Sequence, residues 1–62
     1  MKEKIVITLT RTDDGWIGEV YGKTKKGTTD KITTNKYNYI EDVLVPIRNN
    51  IHKIEKWMEQ IR

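Results

Sequence analysis

Residues 37–62, YNYIEDVLVPIRNNIHKIEKWMEQIR, carry apolar side chains at Ile40, Leu44, Ile47, Ile51, Ile54, Met58 and Ile61. The steps alternate four and three, with Val43 and Trp57 as further apolar residues beside the seam. That is the spacing of one helix face, and it constrains the fold more than any other feature of the chain. A helix is predicted over residues 38–61, with Asn38 as its N-cap and Glu41 completing a capping-box pattern. Glu41 and Asp42 suit the positive end of the helix dipole. Pro46 removes the bond to the carbonyl of Asp42, so a kink is expected there. The alternative is a short first turn, with the main helix starting at Pro46.

Upstream, residues 4–12 read as a strand in which Ile5, Ile7 and Leu9 alternate with Val6, Thr8 and Thr10. The first set is expected to face the helix. Asp13-Asp14-Gly15 is a turn signal. A two-residue loop on Asp14-Gly15 sets Val20 opposite Leu9 and puts Gly18 and Gly22 on the helix face. A three-residue loop ending at Gly15 brings Ile17, Glu19 and Tyr21 there instead, because a one-residue slip exchanges the faces. The first register is preferred, since it keeps the Glu19 carboxylate out of the core. A second strand follows from Trp16, then a glycine-flanked turn over residues 22–29. Residues 30–35 read as an edge strand whose lysines discourage further pairing. No internal repeat or low-complexity tract is apparent. The predicted fold class is α+β: a small antiparallel three-stranded sheet, a hairpin plus an edge strand, packed by one long C-terminal helix. Residues 1–62 form a single domain, with 1–36 the sheet part and 38–61 the helix.

With 62 residues, a chain buries only about 60% of the surface its unfolded form exposes. Small scaffolds compensate with disulfides, a metal or oligomerisation. The chain has no cysteine, and its one histidine, His52, has no second His or Cys to share a metal. Neither metal nor cofactor is expected, and a homodimer is. A helix of about 23 residues runs about 35 Å, whereas an eight-residue strand spans about 27 Å. Ile54, Trp57, Met58 and Ile61 are therefore expected to outrun the sheet and form the dimer seam. The N-terminal apolar run is too short for a signal peptide or a membrane span, so a cytoplasmic location is expected.

The net charge of +3 is concentrated in residues 23–36, where five lysines stand against Asp30 alone, a local sum of +4. Lys23, Lys25, Lys26, Lys31 and Lys36 are candidate contacts for nucleic acid or an acidic partner. Tyr21, Tyr37 and Tyr39 are near enough in sequence to stack on bases. The same lysines also suit a solvated loop and a protected sheet edge. One helix cannot cover both faces of a sheet. The far face, with Val6, Thr8, Thr10, Ile17 and Tyr21, is therefore a candidate partner surface. Trp16, after the turn, is a further candidate anchor. Glu41, Arg48, Glu55 and Arg62 recur every seven residues with alternating sign, as charges flanking a seam do. No Ser-His-Asp or Cys-His set and no Walker pattern is present. The expected function is non-enzymatic: a protein-binding regulator or inhibitor of the kind that phages and mobile elements supply. The alternative is a DNA- or RNA-binding module using the basic segment, and a weaker one is sequestration of an anionic small ligand at a dimer interface.

Gly15-Trp16, Lys25-Lys26-Gly27 and Thr33-Thr34-Asn35-Lys36 ahead of a helix resemble the arm-site DNA-binding domains of tyrosine recombinases. That resemblance implies a three-stranded sheet entering the major groove. The outward residues Thr8, Thr10, Ile17, Glu19 and Tyr21 depart from it, lacking the basic side chains such entry needs. Residues 12–20 look similar to the start of HicB-type antitoxins as far as Gly22, where their Pro- and Gly-containing turn is missing.

Overall fold

In the computed structural model, which describes residues 2–61, β1 (Lys4–Thr12) and β2 (Gly15–Thr24) form an antiparallel hairpin. The loop is Asp13-Asp14, closed by the pair Thr12↔Gly15. Val20 therefore stands opposite Ile7, and not opposite Leu9 as the sequence suggested. A shift of two residues preserves the faces. Ile5, Ile7 and Leu9 share the inner face with Gly18, Val20 and Gly22, as expected. The turn moved because Gly15 serves another purpose. A Cβ there would lie 2.5 Å from the Tyr37 carbonyl oxygen, so glycine makes room for the chain crossing beside it. Among the described residues only Gly27 takes a positive φ, 149°, in the tight turn that Lys25 and Lys26 form between Thr24 and Gly27.

The expected third strand is broken. β3 (Gly27–Thr28) and β4 (Ile32–Thr33) each pair with β2, and Tyr37 forms a final bridge to Trp16. From Thr29, bonded to Gly22, to Thr34, bonded to Gly18, five steps along the edge oppose four on β2. From Thr34 to Tyr37, three steps oppose two. One residue is extra in each interval, so Asp30-Lys31 and Asn35-Lys36 are bulges.

These bulges reveal a repeat that was overlooked in the sequence: Thr28-Thr29-Asp30-Lys31-Ile32 is echoed by Thr33-Thr34-Asn35-Lys36-Tyr37. The second threonine of each unit donates its N–H to a β2 glycine carbonyl, Thr29 to Gly22 at 2.9 Å and Thr34 to Gly18 at 2.8 Å. Its Oγ1 accepts the same glycine's N–H, at 2.9 Å from Gly22 and 3.0 Å from Gly18. The hydroxyl in turn donates to the next carbonyl, that of Asp30 or Asn35. Each lysine reaches a carboxylate, Lys31 to Glu19 at 3.5 Å and Lys36 to Asp14 at 2.8 Å. Each unit ends on a residue packed against the core, Ile32 or Tyr37.

The helix α1 (Ile40–Ile61) lies on the inner face, parallel to β2. It begins two residues later than the Asn38 cap predicted, with the Asp42 N–H donating to the Tyr39 carbonyl at 3.2 Å. Pro46 lies within the continuous helix, and Asn50 Nδ2 donates to the Pro46 carbonyl at 2.7 Å. The proline is thus not the start of the main helix.

The glycines of β2 decide where α1 sits. A Cβ at Gly18 would lie 2.5 Å from Val43 Cγ1, and one at Gly22 would strike Met58 and approach Ile54. Gly18 and Gly22 flank Val20, so the inner row of β2 has two hollows into which the helix settles. Its buried stripe is Val43, Ile47, Ile54 and Met58. The expected seam is accordingly rotated: Val43 is fully buried while Leu44 is 46% and Ile40 37% exposed.

The predicted overhang does not occur. A ten-residue β2 spans about 33 Å, and a 22-residue α1 runs about the same. Ile54 and Met58 are therefore spent in the chain's own core rather than forming a dimer seam, and Trp57 and Ile61 are half-buried beside them.

Candidate functional site

Strand alternation sends Val6, Thr8 and Thr10 of β1, with Ile17, Glu19 and Tyr21 of β2, to the face away from α1. They stand in direct cross-strand pairs: Val6↔Tyr21, Thr8↔Glu19 and Thr10↔Ile17. Val6, Ile17 and Tyr21 are half-buried by their neighbours, and Thr8 and Thr10 are exposed. The pair Val6↔Tyr21 on one side and Ile17, opposite Thr10, on the other thus flank a polar row in which Thr33 lies beside Glu19 and Lys31 reaches its carboxylate. No described element covers this face, since the one helix occupies the other side. Thr8, Ile17 and Tyr21 are brought together as the sequence indicated. Trp16 is not. As an even-numbered residue of β2 it points inward, packs against the core, and carries Arg11 over its ring at 5.9 Å.

The five lysines separate into two groups. Lys31 and Lys36 are on the bulges and are ion-paired within the chain. Both pairs are solvent-exposed and so contribute little to stability. The hydrogen bond and charge of Lys36 hold the Asp14 carboxyl below its ordinary 3.8. Lys25 and Lys26 are exposed at the β2–β3 turn, and Lys23 stands directly opposite Lys4. The basic end is therefore Lys4, Lys23, Lys25 and Lys26, a set that gains a strand residue from outside the basic segment.

The tyrosines do not converge on it. Tyr21 is on the outer face, Tyr37 is held between Trp16 and the core, and Tyr39 is 64% exposed at the helix start. Trp57 is half-buried with Lys53 Nζ 5.8 Å from its ring centre. His52 is on the solvated side of α1, 3.5 Å from Glu55. Of the heptad charges, Arg62 lies outside the described residues.

Sequence reasoning missed the second apolar surface, the flank of α1 carrying Ile40, Leu44 and Ile51 beside the incompletely covered inner face of β1. Its signal was present in the spare apolar residues: a stripe containing Val43, Leu44 and Val45 in succession cannot bury them all. Comparison of the chain with protein families, curated proteins and solved structures finds no match.

Proposed function

We propose that this chain is a small non-enzymatic binding protein that recognises another protein through the open face of its sheet, acting as a regulator or inhibitor. The observation that carries this reading is the uncovered face itself, where Val6, Ile17 and Tyr21 offer apolar and aromatic surface on two paired strands. Aromatic anchors within a polar surround are what protein partners bury. Ile17 and Tyr21 are the anchors, and Thr8, Thr10, Glu19 and Lys31 supply the polar contacts. Affinity capture from the source cell's lysate tests it. The unaltered chain is expected to retain a protein that Ile17→Glu/Tyr21→Glu loses while its far-UV circular dichroism is unchanged. Retention of that protein by the double variant overturns the reading.

A second reading has its own support. Lys4 and Lys23 face each other across the hairpin, a like-charge pairing that disfavours the sheet, with Glu3 in the cleft beside Lys25 and Lys26. With Lys25 and Lys26 alongside, this end suits a phosphate backbone. Titration of labelled duplex and single-stranded nucleic acid at two salt concentrations decides it. Salt-sensitive binding abolished by Lys23→Glu/Lys25→Glu/Lys26→Glu supports this second reading, and no binding at low salt removes it.

A further inference from the structure

The two edges of the sheet are built differently. On the β3–β4 side the edge is short, bulged twice and lined with lysines, all devices that prevent strand addition. The β1 side is long and unbulged, with charge confined to its ends at Lys4 and Arg11. Ile5-Val6-Ile7-Thr8-Leu9-Thr10 is an uninterrupted run without charge, proline or bulge in a nine-residue strand. The direction of its free groups follows from β2. Trp16, Gly18 and Gly22 direct their N–H and C=O groups toward the β3–β4 side. Their partners Arg11, Leu9 and Ile5 are consequently non-hydrogen-bonded pairs, and alternation adds Ile7. The N–H and C=O groups of these residues therefore point out along the free edge.

Above that edge lies an apolar shelf. Ile7 is 45% exposed on the inner face although it belongs to the helix side of the sheet. The flank of α1 facing it carries Ile40, Leu44 and Ile51, with Arg48 and Glu55 beyond. A cleft lined by Ile5, Met58 and Glu55 fixes which flank of α1 this is.

We propose that a second copy of this chain joins here, β1 against β1 and antiparallel, about a two-fold axis through Ile7. The axis is perpendicular to the sheet, so one continuous sheet carries both helices on the same face and the outer faces stay open. Two features choose this occupant and this register. Ile5, Ile7 and Leu9 meet the partner's Leu9, Ile7 and Ile5, so the three central inner-face pairs across the dyad are apolar. Along the antiparallel helices, Arg48 comes level with Glu55 of the partner subunit, and Glu55 with the partner's Arg48. This last match depends on height: Gly22, paired with Ile5, meets Ile54 and Met58, while Gly18, paired with Leu9, meets Val43 and Ile47. Ile7 is therefore level with the helix near Ile51, midway between Arg48 and Glu55. The two β2 strands stand about 14 Å apart, three strand spacings, and Leu44 and Ile51 from both copies fill the channel above Ile7. The nine-residue β1 makes this seam about 30 Å long, with the flank of α1 adding to the area it buries.

Sedimentation equilibrium tests the proposal on the full chain. The expected mass is twice the 7.4 kDa of one copy. Ile7→Lys and Leu44→Lys, each checked for unchanged circular dichroism, are expected to sediment as monomers. Thr8→Lys, on the same strand but the outer face, remains dimeric. Arg48→Glu and Glu55→Arg each weaken the dimer, and the two together restore it. Because the chain has no cysteine, register can be read by oxidation. Val6→Cys mixed with Thr8→Cys should give a mixed disulfide, while neither variant crosslinks alone. A wild-type monomer at high micromolar concentration, or a dimer that survives both Ile7→Lys and Leu44→Lys, overturns the proposal. Self-crosslinking of Thr8→Cys overturns the register.

Discussion

Gly18→Ala should destabilise the protein, and so should Gly22→Ala. Both glycines are buried in the inner row of β2 beneath α1. At Gly18 the added methyl meets Val43 Cγ1 at 2.5 Å and Ile47 Cδ1 at 3.1 Å. Ordinary carbon contacts are about 3.5–4.0 Å, so something must retreat by about 1 Å. Val43 is fully buried and Ile47 is 3% exposed, and a β-branched valine has little rotamer freedom with which to yield. The helix itself must lift. Overpacking of this kind costs about 1–3 kcal/mol, against a gain of about 0.5–1 kcal/mol from replacing glycine inside a strand. The net loss is up to about 2.5 kcal/mol. For a domain of this size each kcal/mol moves Tm by about 4–8 °C. At Gly22 the added methyl strikes Cγ and Sδ of buried Met58 and meets Ile54 Cγ2 at 3.2 Å. Cγ is near the root of the side chain, so swinging the sulfur aside relieves only part of the clash, and a loss of similar size is expected. Urea and thermal unfolding of the two variants beside the unaltered chain provide the measurement. Variants at least as stable as the unaltered chain would refute the glycine hollows as the reason α1 sits where it does.

Three further outcomes follow from the same packing. Thr34→Val should lower stability by about 1–3 kcal/mol, because the Gly18 N–H loses its side-chain acceptor in a part-buried site; exposed Thr33→Val, as control, should stay within about 0.5 kcal/mol by urea midpoint. Pro46→Ala should raise stability by up to about 3 kcal/mol, restoring the bond to the Asp42 carbonyl inside a continuous helix; a lower urea midpoint would contradict this. Lys36→Met should return the Asp14 pKa upward toward 3.8 in an NMR titration. The folded-state value is depressed, so the stabilisation from this pair is present above the unfolded pKa and disappears as pH falls through the lowered one; an unmoved Asp14 titration would remove Lys36 as the cause.

The helix and the hairpin were legible because their periods are long and clean. Ile47 was correctly placed inward from spacing alone, whereas Ile54 and Met58, on the same helix face, were assigned to a dimer seam because a strand of about eight residues is too short to cover them; β2 has ten residues. Which neighbouring row joined them was not legible. Val43 and Leu44 are equally apolar, and only the hollows at Gly18 and Gly22 turn the helix toward Val43. The Asp-Gly turn signal misplaced the loop because Gly15 is demanded by Tyr37, a contact across more than twenty residues of sequence. The face assignment survived, since the error was two residues and the strand period is two. The outer face was therefore legible except for Trp16, whose inward direction follows from the same alternation. The edge was read as an ordinary lysine-protected strand, and its threonine-lysine echo was legible but unread. What it encodes, two bulges and two ion pairs, exists only against β2.

The central claim, recognition through the open face, is tested most directly by methyl NMR of the isotope-labelled chain with its captured protein partner. Val6 and Ile17 methyl signals should shift or broaden on binding, while those of Val43 and Ile54, buried under the helix on the opposite side, stay in place. Unmoved Val6 and Ile17 signals in a saturated complex would contradict the account.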